Sequence, residues 1–386
     1  MTSHEPKIDV ICEGDAREMG FAQGAAMREK IRDARRILAA LEAFRLQQPL
    51  WMPYWLYRRI AESKSQRFLA QALTDSFQAS FSRLEGIANG AQLPWRTICL
   101  FNALEPLLSS VAGCTACPGA CSSVAVTRAR TVNGEPIVAH NFDYLPLVQP
   151  LYMLRECRPH EKLRSLEFTT APLAGTVDGI NEAGLSIAYD YAFAVDSPAT
   201  PAPPISLAIS HALSHCRTVD DAATTISNFR RCGGGLLMLA DATGAIASLE
   251  LSSTRSCLRR PESGQDVLFH TNAFSTETMR AVQIPDDAVY DSHAPTPLRG
   301  RRLHESSDCR DARFRTLLKE AGRLDADGVA GIMSDHGAEA IAGDYTPCVH
   351  GSYWFTTATL QFVPHERRMR VAYDSACQAR YTDFVL

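Results

Sequence analysis

The pattern of apolar residues changes near Cys121, and this change constrains the fold more than any other feature of the sequence. Before it, residues 15 to 90 place apolar side chains at helical spacing, with Met19, Ile31, Leu38 and Leu41 on one stripe. After it, β-branched stretches separated by turn dipeptides predominate, as in CSSVAVTRAR and LLMLADATGAIASLEL. The sequence therefore predicts a helical N-terminal segment followed by antiparallel sheet.

Helical patterns return within the second part of the chain. They occupy the segments ISLAISHALSHC, DDAATTISNF and CRDARFRTLLKEAG. The apolar face of a sheet has to be buried against another layer of structure, and these segments can provide that layer. The predicted fold class is therefore α+β.

Charge and hydropathy argue against several kinds of partner. The 386 residues carry 39 Lys and Arg against 43 Asp and Glu, a net charge of −4. There is thus no basic field to attract nucleic acid or an anionic membrane surface. No run of 18 apolar residues and no secretory pattern is present, so we expect a cytoplasmic protein without a membrane partner. In that compartment the 12 cysteines are expected to be thiols rather than a disulfide framework.

A β-hairpin is predicted directly after Cys121. Asn133-Gly134 is a favoured two-residue turn between two apolar stretches. With these two residues as the loop, Asp143 would oppose Val124 and Cys121 would oppose position 146. A thiol and a carboxylate would then lie at the same end of the hairpin, roughly 10 Å apart along the strand.

The residues around Cys121 add two expectations. Pro118-Gly119 cannot continue a central strand, so the chain should bend sharply just ahead of the thiol. Strict alternation puts His140 on the face of Cys121 and Asp143 on the opposite face, so both reach one site only if a bulge intervenes.

The cysteines of this region also have spacings that can suit a metal ion. Cys114, Cys117 and Cys121 are spaced three and four residues apart, and His211 and His215 have helical i, i+4 spacing. A zinc site takes four ligands, usually with a paired second half such as C-x-x-C or H-x-x-x-H. Two histidines inside an apolar helical stretch are more often a packed or exposed pair, so no metal is predicted.

Several segments in a fixed order carry a family resemblance. They are ICEGDAREMGFAQG, then Cys121-Ser122 with the hairpin and Asn141-Phe142-Asp143, then GTVDGINEAGLSIAYD, LFHTNAF, SSDCRDARFRTLL and YWFTTATLQF. Together they resemble the acyl-coenzyme A:isopenicillin N acyltransferase family of N-terminal nucleophile (Ntn) hydrolases. The resemblance covers nearly the whole chain, and bile salt hydrolases and acid ceramidase are similar more faintly.

The resemblance implies a four-layer αββα sandwich whose precursor cuts itself between Ala120 and Cys121. Residues 1–120 would form a mostly helical first fragment and residues 121–386 the catalytic part. The two fragments would stay associated, and a homo-oligomer is left open. A liberated cysteine carries a thiol with a pKa of about 8.5 and an amine with a pKa of about 7.7 to 8.0. Its amine can therefore take the thiol proton.

The resemblance also suggests roles for polar residues. Asn272 is the candidate donor to an oxyanion, with Asn181 beside it, and Asp143 would hold the charged amine. His140 stands where relatives often carry Arg and sometimes Gln, so it faces the substrate or the thiol, or has neither role.

Two further residues are expected at the substrate, namely Asn141 and Thr346. Thr346 stands where the family has a site hydroxyl, and a loop threonine beside Pro347 is the alternative.

The predicted activity is hydrolysis or transfer of the acyl group of a small N-acyl compound, through a thioester on Cys121. No cofactor is expected, and acyl-CoA is left open as an acyl-donor substrate. Two alternatives stay open: an uncleaved binding protein of the same fold, and a cysteine hydrolase that uses a Cys–His pair without self-cleavage.

Overall fold

The computed structural model describes residues 5–73, 77–109 and 120–386. Its N-terminal part is one strand followed by helices, in agreement with the helical periodicity of the sequence. The elements are β1 (Ile8–Gly14), α1 (Ala16–Ala26), α2 (Arg28–Ala40), α3 (Glu42–Arg45), α4 (Tyr54–Ala72), α5 (Gln78–Ala91), α6 (Trp95–Asn102) and α7 (Leu104–Ser109).

Four glycines let α1 and α5 pack with their backbones in contact. A Cβ atom on Gly20 would lie 2.2 Å from the carbonyl oxygen of Arg83, and one on Gly24 would lie 2.3 Å from that of Ile87. Gly86 and Gly90 on α5 are equally close to the backbone of α1. The glycines of the MGFAQG segment therefore serve helix packing.

Eight strands form the first sheet, with the order β1, β4, β5, β6, β7, β8, β9, β10. β1 is parallel to β4, and the other neighbours are antiparallel. The strands are β4 (Tyr152–Pro159), β5 (Ser165–Thr170), β6 (Asp178–Asn181), β7 (Ser186–Ala192), β8 (Gly234–Ala240), β9 (Ile246–Leu251) and β10 (Ser256–Arg259).

Six antiparallel strands form the second sheet, with the order β11, β2, β3, β12, β13, β14. These strands are β2 (Ser122–Val126), β3 (Ile137–Tyr144), β11 (Val267–His270), β12 (Phe355–Val363), β13 (Arg368–Ala372) and β14 (Thr382–Val385). The two sheets pack face to face, as the rings of Phe142 on β3 and Phe168 on β5 show by meeting edge to face at 5.5 Å.

Helices cover the outer faces of both sheets. The remaining helices are α8 (Ile205–His215), α9 (Val219–Asn228), α10 (Glu277–Arg280), α11 (Glu305–Glu320) and α12 (Ala326–Met333). Apolar residues of α8 and α9 belong to the core of the first sheet, and those of α11 and α12 pack on Val124 and Ala139 of the second. The predicted α+β class and four-layer αββα sandwich are confirmed.

The predicted hairpin register is wrong. Ser122 pairs with Asn141 and Ser123 with His140, so the two strands are offset by four residues from the expected pairing. The cause lies in the connection, since residues 127–136 form a long loop in which Thr131 bridges to Leu324. A two-residue turn of this kind needs positive φ at both central residues, and of Asn133 and Gly134 only the glycine has it.

Candidate active site

Cys121 lies at the entrance to β2, between the two sheets. Its side chain is buried, with 2% of the residue exposed. The neighbouring Ala120 N–H donates a hydrogen bond of 3.1 Å to the carbonyl oxygen of Asp143, and the thiol lies 3.8 Å from the same oxygen. The start of β2 is thus hydrogen-bonded to the end of β3. This contact positions the thiol at the ends of these two strands.

His140 on β3 is paired with Ser123 on β2. Paired residues share a face, and Cys121 is two residues from Ser123, so His140 and Cys121 project from the same face. The ring is fully buried. The sulfur of Cys121, a ring nitrogen of His140 and a carboxylate oxygen of Asp190 all lie within 4.8 Å of one another. Thiol, imidazole and carboxylate therefore form one compact cluster.

Both carboxylates next to His140 come from the opposing sheet. Asp178 on β6 lies 2.7 Å from Nδ1, and Asp190 on β7 lies 3.6 Å from Nε2. Asp190 also accepts hydrogen bonds from Ser123 at 2.5 Å and from Nε2 of His270 at 2.9 Å. The sequence analysis missed Asp178, Asp190 and His270, although the first two lie within the GTVDGINEAGLSIAYD segment.

The carboxylates determine the charge of His140. Burial alone would lower the pKa of the imidazole, but Asp178 and Asp190 outweigh burial and raise this pKa well above its usual value. Burial also raises the pKa of the Cys121 thiol to about 11, although His140 acts in the opposite direction. These shifts favour a protonated imidazole and a neutral thiol at neutral pH.

Asp143 lies on the other face of β3 and is also buried. Its Oδ1 accepts a hydrogen bond of 2.5 Å from Thr356, while Oδ2 has no partner among the described residues. A bulge does occur beside it, but on β12, between Thr356 and Ala358. Burial raises the pKa of the Asp143 carboxyl to about 8, against the opposing effect of Arg310. The site therefore contains one buried carboxyl oxygen that is free to accept a hydrogen bond.

Arg310 of α11 joins Cys121 to Asn272. The guanidinium donates hydrogen bonds to the Cys121 carbonyl at 2.6 Å, to the Ser122 hydroxyl at 2.6 Å and to Oδ1 of Asn272 at 2.7 Å. The Asn272 amide nitrogen donates to the Tyr191 carbonyl at 2.8 Å. The structure thus brings Asn272 to the site, together with an arginine that the sequence analysis did not select.

Asn181 does not lie at the site. It is three residues from Asp178, so its side chain projects from the opposite face of the first sheet. Its amide donates to the carbonyls of Leu213 and Cys216, and its oxygen accepts from the backbone of the turn that follows β6. The expectation that Asn181 lies beside Asn272 is therefore corrected. Asn181 connects the turn after β6 to the C-terminal end of α8 by hydrogen bonds.

The side chains of Asn141 and Thr346 form hydrogen bonds within the protein and do not point towards the thiol. The Asn141 amide donates to the carbonyls of Met333 and Pro347, and its oxygen accepts from Thr359. The Thr346 hydroxyl lies 2.8 Å from the Cys348 carbonyl within its own loop. Neither residue contacts the substrate side of Cys121 in this arrangement, and Thr346 fits the loop-threonine alternative.

The residues considered as metal ligands near Cys121 lie only partly within the described part of the chain. Cys114 and Cys117 lie outside the described residues, as do Pro118 and Gly119. His211 and His215 form a stacked pair with ring centroids 3.9 Å apart on α8.

An apolar pocket opens next to Cys121. It runs between the N-terminal helices and the two sheets, and its lining includes Ile37, Leu38, Phe101 and Leu108. On the other side of the Ala120–Cys121 peptide is a smaller, more polar pocket, lined by Ala120, Asn272, Arg301, Ser306 and Arg310 among others. The apolar pocket is thus lined by Cys121, and the polar pocket is lined by the preceding Ala120.

A comparison with known families gives one match. The model of the family described as acyl-coenzyme A:6-aminopenicillanic acid acyl-transferase matches residues 130–376, well over half of the chain. The chain belongs to this family. The sequence motifs predicted this membership.

Solved structures resemble the chain at low identity. An N-acylethanolamine-hydrolyzing acid amidase ortholog from Caenorhabditis elegans is 14% identical with a TM-score of 0.45, over 69% of this chain and 100% of that one. Penicillin V acylase from Agrobacterium tumefaciens is 14% identical with a TM-score of 0.44, over 69% and 86%. A mutant conjugated bile acid hydrolase from Clostridium perfringens is 12% identical with a TM-score of 0.40, over 69% and 97%.

No curated protein matches the chain. Among the described residues, no helix combines the length and the apolar character needed to cross a membrane.

Proposed function

We propose that this protein is a self-processing cysteine enzyme that hydrolyses or transfers the acyl group of a small N-acyl compound. The observation that carries the proposal is the placement of the buried Cys121 thiol beside His140, whose ring lies between two carboxylates. An imidazolium cannot accept the thiol proton. We infer that the base is another group, and cleavage after Ala120 would supply one in the α-amine of Cys121.

The burial of the Cys121 thiol also supports the proposal that cleavage precedes its activation. With its pKa raised to about 11, the thiol of the continuous chain is almost entirely protonated at neutral pH. Cleavage between Ala120 and Cys121 would place an amine with a pKa of about 7.7 to 8.0 on the same residue. We infer that the precursor is inert towards substrate and that cleavage activates the thiol.

Asp143 is suited to hold the new amine. Its buried Oδ2 has no partner among the described residues, and the backbone of Ala120 is already hydrogen-bonded to the Asp143 carbonyl. An ammonium group at Cys121 would satisfy that oxygen and lower the pKa of the carboxyl. Asp143 would thus orient the base next to the sulfur.

The proposed reaction has two halves. The α-amine takes the thiol proton, and the thiolate sulfur forms a bond to the carbonyl carbon of the substrate. The Asn272 amide N–H would donate a hydrogen bond to the oxyanion, and a charged His140 ring would stabilise it electrostatically. The tetrahedral intermediate then collapses, the C–N bond breaks, and the α-ammonium returns its proton to the leaving amine. Water or an acceptor amine attacks the thioester in the second half, which releases the acyl group and restores the thiol.

The pocket next to Cys121 suggests the acyl group. Its lining is dominated by aliphatic and aromatic side chains from both the N-terminal helices and the sheets. Such a pocket favours an unbranched or aromatic apolar acyl chain, with the amine on the polar side near Arg310. We leave acyl-CoA as a second acyl donor to experiment, and the cytoplasmic location stays a prediction.

The two fragments of the cleaved chain would stay together. β1, from residues 1–120, is paired with β4 in the first sheet, and apolar side chains of α2 and α6 share a core with Leu151 and Met153. Separation would expose both the strand edge and this core to water.

Two alternatives predict different outcomes. A Cys–His hydrolase without cleavage is favoured by the closeness of Cys121, His140 and Asp190. It requires that thiol and imidazole together lose one proton, which leaves either a thiol with a neutral imidazole or a thiolate with an imidazolium. An uncleaved binding protein predicts no turnover at all.

The experiment that tests the proposal is capture of the acyl-enzyme. Purified protein is mixed with a panel of N-acyl amino acids, N-acyl amines and penicillin-like amides, with and without an acyl-CoA, and quenched in acid for mass spectrometry. We expect a fragment that begins at Cys121 to gain the mass of the acyl group, and Cys121→Ser to gain much less. Turnover without any acylated cysteine, or acylation of the full-length chain, would contradict the proposal.

A further inference from the structure

A second cluster of chemically reactive side chains lies outside the candidate active site. His336, Cys348, His350 and Cys377 each direct one potential ligand atom to a common point, and all four atoms lie within 4.8 Å of one another. These residues come from two segments of the chain. The first three lie in the loop between α12 and β12, and the fourth lies in the turn Ala376–Gln378.

The distances within this cluster fit a tetrahedral ion. Nε2 of His350 lies 3.3 Å from the sulfur of Cys348 and 3.4 Å from the sulfur of Cys377. In a tetrahedral zinc site with Zn–S of about 2.3 Å and Zn–N of about 2.0 Å, a sulfur and a nitrogen are about 3.5 Å apart. The two sulfurs therefore stand at ligand spacing around the same imidazole nitrogen.

The side chain of His336 gives a separate indication of a bound ion. Its Nε2 is buried and has no hydrogen-bond partner among the described residues. The His336 and His350 rings are nearly perpendicular, with centroids 5.0 Å apart, so they are not stacked as an apolar pair. A buried nitrogen without a partner is costly, and a metal ion would remove that cost.

We propose that His336, Cys348, His350 and Cys377 bind one Zn²⁺ ion at a structural site. The set of two cysteines and two histidines leaves no position for substrate, which is typical of structural zinc sites. On binding, two S–H bonds break, two Zn–S bonds form, and the two protons pass to solvent, so the two thiolates balance the charge of the ion.

The surrounding contacts hold the ligands in place. The Cys348 N–H donates to the Asp335 carbonyl at 3.2 Å, and the Cys348 carbonyl accepts from Thr346 at 2.8 Å. The Asp335 carboxylate, next to His336, makes two hydrogen bonds of 2.7 Å with Arg313 of α11. Outer contacts of this kind orient metal ligands, and they explain why Thr346 has its hydroxyl turned into the loop.

The site lies next to the residues that hold Asp143. The Val349 N–H, one residue after Cys348, donates to the Thr356 hydroxyl at 2.8 Å, and that hydroxyl donates to Asp143. An ion bound to Cys348 and His350 would thus fix the loop that supports the carboxyl. The zinc proposal does not depend on the reaction proposed above.

Metal analysis of the full-length protein tests the proposal. The protein is expressed in medium with added zinc, dialysed against buffer without chelator and analysed for zinc per chain by inductively coupled plasma mass spectrometry. We expect one Zn²⁺ per chain in wild type, and at least a tenfold loss of zinc in Cys348→Ser/Cys377→Ser. Cys309→Ser is the matched control, because Cys309 is an exposed thiol outside the cluster, and it should retain the ion.

A second measurement keeps the test valid where the double variant folds poorly. Zinc is removed from wild type and replaced by Co²⁺, whose absorption reports thiolate ligands and tetrahedral geometry. We expect both signatures in wild type and a weaker thiolate band in Cys377→Ser, which changes only an exposed side chain and retains the Cys348 thiolate. Wild type without zinc, zinc content equal in all variants, or a Cys348–Cys377 disulfide in the isolated protein would overturn the proposal.

Discussion

Nδ1 of His140 lies 2.7 Å from the carboxylate of Asp178, and this contact joins the two sheets at the candidate active site. Both residues are fully buried. The ring also faces Asp190 on its other side, so the imidazole is held between two carboxylates. These two carboxylates raise the pKa of the imidazole well above its usual value, which favours a charged ring.

Replacing His140 tests whether that charge, rather than a proton transfer, is needed. We expect His140→Gln to lower kcat/KM by about 100-fold, the effect of losing one well-placed electrostatic partner of the oxyanion. The acid limb of the pH profile should stay in place, because the α-amine of Cys121 sets it. The measurement is kcat/KM against pH for wild type, His140→Gln and the exposed control His293→Gln. An acid limb that disappears in His140→Gln would identify His140 as the base.

Asp143 should make the stability of the uncleaved chain depend on pH. Its pKa is raised by burial from 3.8 to about 8, so its contribution to stability is complete below about pH 4 and is lost as the pH rises to about 8. We expect the Tm of Cys121→Ala to fall by several degrees over this range relative to Cys121→Ala/Asp143→Asn. Thermal unfolding of both variants between pH 4 and 8 measures the difference. A constant difference in Tm would show that the carboxyl does not titrate in this window.

The pocket predicts a limit on acyl chain length. Ile37 lines the pocket from α2, whereas Ile60 on α4 is exposed outside it. We expect Ile37→Trp to lower kcat/KM for long acyl chains by at least about tenfold and to leave short chains little affected. Ile60→Trp is the matched control and should leave both unchanged. Equal losses for all chain lengths in Ile37→Trp would place the acyl group elsewhere.

The contact between α1 and α5 predicts a stability effect unrelated to catalysis. A methyl group on Gly24 would lie 2.3 Å from the Ile87 carbonyl, so we expect Gly24→Ala to cost about 1–3 kcal/mol. Gly331 on α12 has open space around it, and Gly331→Ala should be neutral or stabilise the helix by up to about 1 kcal/mol. Urea unfolding of both variants tests this contrast. A Gly24→Ala protein as stable as wild type would mean that the helices can separate without cost.

Much of the architecture could be predicted from local patterns. The helical stripe that includes Ile31 and Leu38 follows from burial on one face of a helix. The short apolar run around Val124 indicates a strand, and this strand is buried on both faces. The four layers followed from the motif order, which resembles that of a known family. The parallel pairing of β1 with β4 could not be foreseen, because it joins segments more than a hundred residues apart.

Long-range contacts also explain which site residues were missed. Asp178 and Asp190 reach His140 only because the two sheets face each other, and nothing near them in the sequence indicates a histidine. Asn181 was selected because it lies in the same segment, yet the three-residue separation from Asp178 turns it to the other face. The hairpin register was wrong because residues 127–136 form a long loop, bridged at Thr131 to the distant Leu324, instead of a tight turn.

The most direct test of the account is the state of the Ala120–Cys121 peptide in active protein. Wild type, Cys121→Ala and the buried control Cys99→Ala are purified in parallel and analysed by intact mass and N-terminal sequencing. The account predicts two associated fragments, 1–120 and 121–386, for wild type and Cys99→Ala, and one inactive full-length chain for Cys121→Ala. Active wild-type protein in which Cys121 is still joined to Ala120 would contradict it.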